Sequence, residues 1–333
     1  MQGVVGNRHA QTQLERALRS GQVGHAYLLT GPRAIGKTTL ALAFAAALEC
    51  QQRAPDSVEA CGVCAACRKI AHGNHPDVAL ITPAVGKRLF GIDQIREIIH
   101  LANLSPSEGA WRVFILPEIE RMEDPAANAL LKTLEEPPEG IVLLLTTNEP
   151  ENLLPTILSR CQMIPMQPLA PDEIITVLTD RWGVAPEEAQ RLAALANGRL
   201  GWAVEAHEQP ELREQRDDLL QQLMALTYAR RDERLRRAAT LASDTEAARQ
   251  ALDLWMFWWR DVTLAACGSQ RLVTTGASRA QAERQGRALG AERAEAFLRA
   301  LLAAQTALDQ NANPRLTLEV LLLDLPTLPR SPR

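Results

Sequence analysis

Residues 31–38 read Gly-Pro-Arg-Ala-Ile-Gly-Lys-Thr, the G-x-x-x-x-G-K-[ST] pattern of a phosphate-binding loop. In such a loop, backbone N–H groups converge on phosphate at the start of a helix whose dipole favours an anion. Gly31 and Gly36 let the backbone fold, Lys37 would reach the β/γ oxygens, and Thr38 would supply a Mg²⁺ ligand, with Thr39 following in the same turn. The pattern predicts an ATP or ADP site with Mg²⁺. A relic loop that keeps the geometry and binds nothing is the alternative.

Hydrolysis needs more than a cradle. In ATPases of this type the third strand ends in two carboxylates, one holding the metal and one polarising the attacking water. Here the third apolar run, Arg112–Leu116, leads into Pro117-Glu118, and proline offers no ligand. Glu118 remains a candidate for orienting a water. On the rival reading, Glu118 or Glu120 substitutes as the metal ligand. Metal clamping and positioning carry most of phosphoryl-transfer catalysis, so binding with little turnover is the expectation.

A second constellation is Cys50, Cys61, Cys64 and Cys67, spaced C-x₁₀-C-x₂-C-x₂-C. Four thiolates so close in sequence suit a closed, tetrahedral Zn²⁺ site, with Gly62 easing the turn. An iron–sulfur cluster also uses C-x₂-C-x₂-C, but the Cys-Pro that usually follows is absent, which favours zinc. His72 and His75 lie nearby and read as ordinary surface or core histidines.

The elements that must hold these groups follow from the hydrophobic pattern. Short apolar runs at 26–30, 78–81, 112–116 and 141–145 alternate with helical patterns at 38–48, 92–101 and 125–134, the arrangement of βα units around a parallel sheet. Asp124 is the expected N-cap of the last of these helices, ahead of Pro125. Residues 151–158 and 162–166 close the domain. From about 167 the pattern is helical, dividing into a small unit (167–206) and a larger one (207–333).

Composition sets outer limits. The chain has 333 residues, 46% hydrophobic and 23% charged, as in an ordinary folded protein. No apolar run is long enough to span a membrane, and the N-terminus lacks an apolar signal core, so a cytoplasmic location is expected. A net charge of −4 argues against gripping nucleic acid by bulk charge. Arg230, Arg231, Arg234, Arg236 and Arg237 read as a solvated helix face balanced by Asp232 and Glu233. Trp255, Trp258 and Trp259 share one helix face, which suits either core or a subunit contact.

Further segments complete a family pattern. Val5-Gly6-Asn7, the phosphate loop, the cysteine module, the run Asn128–Pro138 (containing Leu-Lys-Thr-Leu-Glu-Glu-Pro-Pro), Thr146-Thr147-Asn148, Ser159-Arg160-Cys161 and Asn311–Leu316 together resemble the bacterial clamp-loader branch of the AAA+ ATPases. The resemblance runs over nearly the whole chain. It implies an α/β AAA+ domain with a zinc module over 1–166, a helical lid over 167–206 and an all-α collar over 207–333.

It also gives Arg160 a role: the arginine of Ser-Arg-Cys reaches toward ATP bound by a neighbouring subunit, where a guanidinium supplied in trans stabilises the transferring phosphoryl group. Thr147 and Asn148 match the sensor-1 region that feels the γ-phosphate. Gly201 falls where motor subunits carry a sensor-2 arginine. Arg199, two residues away, points to another helix face.

Pro117 and Gly201 weaken the chain's own site and leave Arg160 intact. The resemblance therefore implies a stator in a hetero-oligomeric clamp loader of DNA polymerase III. Its partners would be the motor (gamma/tau) and delta subunits and, through the complex, the sliding clamp and primed DNA. A catalytically active motor-type ATPase is the alternative.

Overall fold

Strand propensity and the phosphate loop meet in the first part of the chain. The computed structural model describes residues 3–54, 57–84, 86–87, 89–269, 273, 279–310 and 312–328. Asn311, which opens the run matched at the end of the chain, lies outside the described residues.

In order, the elements are α1 (Arg8–Ser20), β1 (Ala26–Thr30), α2 (Lys37–Glu49), α3 (Ala65–Ala71), β2 (Val78–Leu80), α4 (Ile92–Ala102), β3 (Arg112–Leu116), α5 (Asp124–Glu135), β4 (Ile141–Thr147), α6 (Pro155–Leu158), β5 (Gln162–Pro165) and α7 (Pro171–Trp182). The five strands form one parallel sheet in the order β2-β3-β4-β1-β5.

Parallel pairing of β1 and β4 aligns Thr30 with Thr147, and β3–β4 pairing aligns Leu116 with Leu145. The ends of β1, β4 and β3 thus stand in a row, and the loops that carry Lys37, Asn148, Glu118 and Glu120 leave from that edge.

Successive side chains point to opposite faces, and both faces are covered, so β1, β3 and β4 are buried throughout and apolar except for Arg112 at the start of β3 and the threonines that end β1 and β4. Tyr27, Leu29, Val113, Ile115, Val142 and Leu144 pack with Leu40 and Phe44 of α2 and Leu14 of α1. Leu28, Phe114, Leu116, Leu143 and Leu145 face Ile95 and Ile98 of α4 and Leu130 and Leu134 of α5. The expected N-cap Asp124 is instead the first residue of α5. Glu123 precedes it with extended dihedrals (φ −65°, ψ 148°) and accepts the backbone bonds of Ala126 and Ala127 through its carbonyl.

Downstream come α8 (Pro186–Ala196), α9 (Leu200–Glu208), α10 (Pro210–Leu226), α11 (Arg231–Leu241), α12 (Thr245–Ala266), α13 (Arg279–Leu289), α14 (Ala291–Asp309) and α15 (Pro314–Asp324). Two compact units divide the chain: residues 1–182 with 198–202, and residues 183–197 with 203–333. The second has its own core, in which Trp255, Trp258 and Trp259 are buried among Phe297, Leu301, Leu318 and Leu322. Trp258 Nε1 donates to Gln285 Oε1, and the Trp259 and Phe297 rings lie 4.5 Å apart. The tryptophan face is core.

One expectation for this unit fails. Arg234 is not on a solvated face. It is 3% exposed and donates to the carbonyls of Leu226, Leu322 and Leu325 and to Thr327 Oγ1. The ends of α10 and α15 leave carbonyls without helical donors, and one guanidinium with five N–H groups satisfies several of them. Arg236 does lie outward, paired with Asp232 at 2.8 Å.

Candidate nucleotide and metal sites

The loop after β1 closes over the N-terminus of α2. Gly36 is the N-cap, at φ 104°, a conformation that a side chain would strain. Ala34 also has positive φ (61°), and the Gly31 amide donates to Thr147 O at 3.3 Å, tying the loop to the end of β4. Thr38 and Thr39 occupy the first turn of α2, half-buried and exposed respectively.

Lys37 is turned into this cradle. Its Nζ donates to Gly31 O (2.6 Å), Pro32 O (2.8 Å) and Asn148 Oδ1 (2.8 Å). Burial pushes its pKa down to about 8, against the pull of the Glu120 and Glu118 carboxylates. Asn148 in turn donates from both its backbone N and its Nδ2 to Glu120 Oε1, at 3.0 and 2.8 Å. Lys37, Asn148 and Glu120 form one hydrogen-bonded chain across the ends of β1, β4 and β3.

Glu118 takes a different path. With φ 53° its backbone turns away after Pro117, and its amide donates to Thr146 Oγ1. Its carboxylate accepts from Arg121 at 2.9 Å and stands 3.8 Å from Arg33 Nε. Burial alone would raise its pKa, but Arg121, Arg33 and Asn148 outweigh that and hold it below the ordinary carboxylate range. Sequence reasoning singled out Glu118 and Glu120 and missed Arg33 and Arg121. Arg121 was legible as an i, i+3 partner of Glu118, whereas Arg33 needed the loop fold.

Gly201, in the first turn of α9, donates its amide to Ala34 O at 2.9 Å. A Cβ there would lie 2.8 Å from that carbonyl oxygen. Arg160 follows α6. Its Nη2 pairs with Glu135 Oε1 at 2.7 Å, and its Nη1 donates to Thr156 O and Ser159 Oγ.

The four cysteines meet where the C-terminus of α2 faces the N-terminus of α3. Their sulfurs all lie within 4.8 Å of one another, and Cys61 Sγ and Cys67 Sγ are 4.0 Å apart. Four Zn–S bonds of about 2.3 Å in a tetrahedron require sulfurs about 3.8 Å apart, so the set fits one ion such as zinc. The amides of Cys61, Cys64 and Cys67 point at Cys50, Cys61 and Cys64 Sγ respectively, as donors that favour thiolate. His75 is outside this cluster; its Nδ1 accepts from the Asp77 amide.

Residues 6–170 match the family model described as "DNA polymerase III, delta subunit". The DNA polymerase III subunit delta' of Pseudomonas aeruginosa is 40% identical over 204 residues, 60% of this chain and 60% of that protein. The chain belongs to the clamp-loader family of AAA+ proteins. Subunit tau of Bacillus subtilis is likewise 40% identical, over 172 residues, 52% of this chain and 30% of tau. The clamp-loader chain therefore spans less than two thirds of either relative. A crystal structure of a gamma-subunit-related protein of Thermotoga maritima is 22% identical, covering 93% of this chain and 97% of that one, with a TM-score of 0.42. Among the described residues, no helix is long and apolar enough to cross a membrane.

Proposed function

We propose that this chain is the stator, a delta-prime-type subunit, of a hetero-oligomeric clamp loader serving DNA polymerase III. Its partners are gamma/tau motor subunits and a delta subunit, and through them the sliding clamp and primed DNA. Equal identity to a delta-prime and a tau subunit leaves the branch to be read from individual residues. The observation that carries the reading is Pro117 at the end of β3, where a metal-holding carboxylate belongs, beside an otherwise complete phosphate loop.

Two features support it. Gly201 lies against the phosphate loop where motor subunits carry an arginine, so position 201 contributes no cation to the chain's own site. Arg160 sits one-third exposed at the end of α6, resting on Glu135 of its own chain, from which a neighbour's ATP would draw it. In this reading Lys37, Thr38, Thr39 and Asn148 hold a nucleotide that is hydrolysed slowly or not at all, and Cys50, Cys61, Cys64 and Cys67 hold a structural Zn²⁺. The AAA+ domain ends near 166, followed by lid (167–206) and collar (207–333).

The second reading, an active motor-type ATPase, is favoured by one observation. Glu120 is held by Asn148 beside Lys37, close enough to serve in place of the missing carboxylate. Mg²⁺-dependent ATP hydrolysis by the purified chain, beside Lys37→Ala, separates the two. The stator reading expects nucleotide binding with turnover below about 0.1 s⁻¹, under the range of working ATPases and kinases. Faster turnover abolished by Lys37→Ala would establish the motor.

A further inference from the structure

Helix α5 ends because Glu136 precedes Pro137 and Pro138, and a proline disfavours helical dihedrals at the residue before it; Glu136 caps the helix at φ −125°, ψ 71°. That stop makes Glu135 the last helical residue, at the end where helix carbonyls favour a cation. Arg160 arrives there from the end of α6, and its guanidinium is turned back onto its own chain. Nη2 meets Glu135 Oε1 at 2.7 Å, and Nη1 meets Thr156 O at 2.9 Å and Ser159 Oγ at 3.2 Å. Both terminal nitrogens, the atoms a guanidinium uses to grip phosphate oxygens, are committed to acceptors of the same chain.

We infer that Glu135 is a positioning residue that parks Arg160 against its own chain until a neighbour's nucleotide takes it. The inference rests on the trans-arginine reading above. The pair is suited to release: Glu135 is half exposed and Arg160 one-third exposed, and an ion pair so placed is weak and screened by water. The phosphates of ATP present several negative oxygens to the same two nitrogens and outcompete one carboxylate. The parked state therefore sets a threshold: Arg160 turns outward only where a neighbour offers bound nucleotide at close range.

Two measurements test this, the first on the full chain alone. Reaction of Arg160 with phenylglyoxal, followed by peptide mass spectrometry, should run about two- to fivefold faster in Glu135→Gln and Glu135→Ala, the range an exposed ion pair supports. Unchanged reactivity in both variants would overturn the parking contact.

The second uses the clamp loader reconstituted with gamma/tau and delta subunits. Without DNA, both Glu135 variants should raise its ATPase rate by a similar factor, and should change nothing when combined with Arg160→Ala. A rate that falls, stays unchanged, or changes equally in the Arg160→Ala background overturns the proposal even if the phenylglyoxal result holds. If Arg160→Ala leaves DNA-stimulated hydrolysis unchanged, the trans-arginine reading itself falls, and the parking role with it.

Discussion

The amide of Gly201 donates to the carbonyl of Ala34 at 2.9 Å, so the first turn of α9 rests directly on the phosphate loop. The contact needs glycine because of distance: any Cβ would come within 2.8 Å of the Ala34 oxygen. The same approach leaves no room for a side chain at position 201 unless the loop shifts.

Gly201→Ala should therefore cost about 1–3 kcal/mol, the usual range for overpacking a close contact. Urea unfolding of the nucleotide-free protein measures it. A loss under about 0.5 kcal/mol, the scale of an ordinary surface substitution, would mean that the loop yields without strain.

Nucleotide affinity should depend on pH through Lys37. Its pKa in the free protein is lowered to about 8, chiefly by burial, from 10.5. Bound phosphate favours the ammonium and raises that value. Affinity should then be highest below pH 8 and fall above it, approaching tenfold per pH unit. Stability of the unligated fold moves oppositely: between pH 8 and 10.5 the unfolded state holds more protons at this site, so the cost of burying the ammonium fades as pH rises. Fluorescent-nucleotide titrations from pH 7 to 9.5, with Lys37→Ala as the flat control, check the first effect.

Metal removal should unfold the module joining α2 to α3. Thiolate–zinc binding is folding energy, so chelation should release about one zinc per chain and lower the melting temperature of the first unit. Cys64→Ser should do the same. Protein purified under reducing conditions with no bound metal by mass spectrometry would refute the site.

Arg234 should matter more to stability than its neighbours. Arg234→Met takes the guanidinium donor from the carbonyls of Leu322 and Leu325, and from that of Leu226, which keeps the Ala229 amide, and should destabilise the second unit by about 2–4 kcal/mol. Lysine, a single point donor, should recover only part of this. Arg236→Met, removing an exposed pair, should change little, about 0.5 kcal/mol. Equal effects of the Met variants would contradict the carbonyl-capping role.

Much of this protein was readable along the chain because its determinants are local. The phosphate loop, the cysteine spacing and the alternation of apolar runs with helical stripes each lie within a few tens of residues, and hydrophobic period or ligand spacing defines them. Strands β1 and β3 fall at the expected residues, and the four cysteines converge as their spacing implies. Pro117 needed no structure, since no fold gives proline a carboxylate.

What only the tertiary structure decided involves partners far apart in sequence. Lys37 meets Asn148, and Arg160 meets Glu135, because parallel pairing and helix packing bring separate loops to one sheet edge and one helix end. Arg234 reads as one more cation in an arginine-rich helix until the ends of α10 and α15 surround it with carbonyls. The tryptophan stripe suited two answers until the helices packed. Periodicity tells which residues share a face, and only packing tells what that face meets.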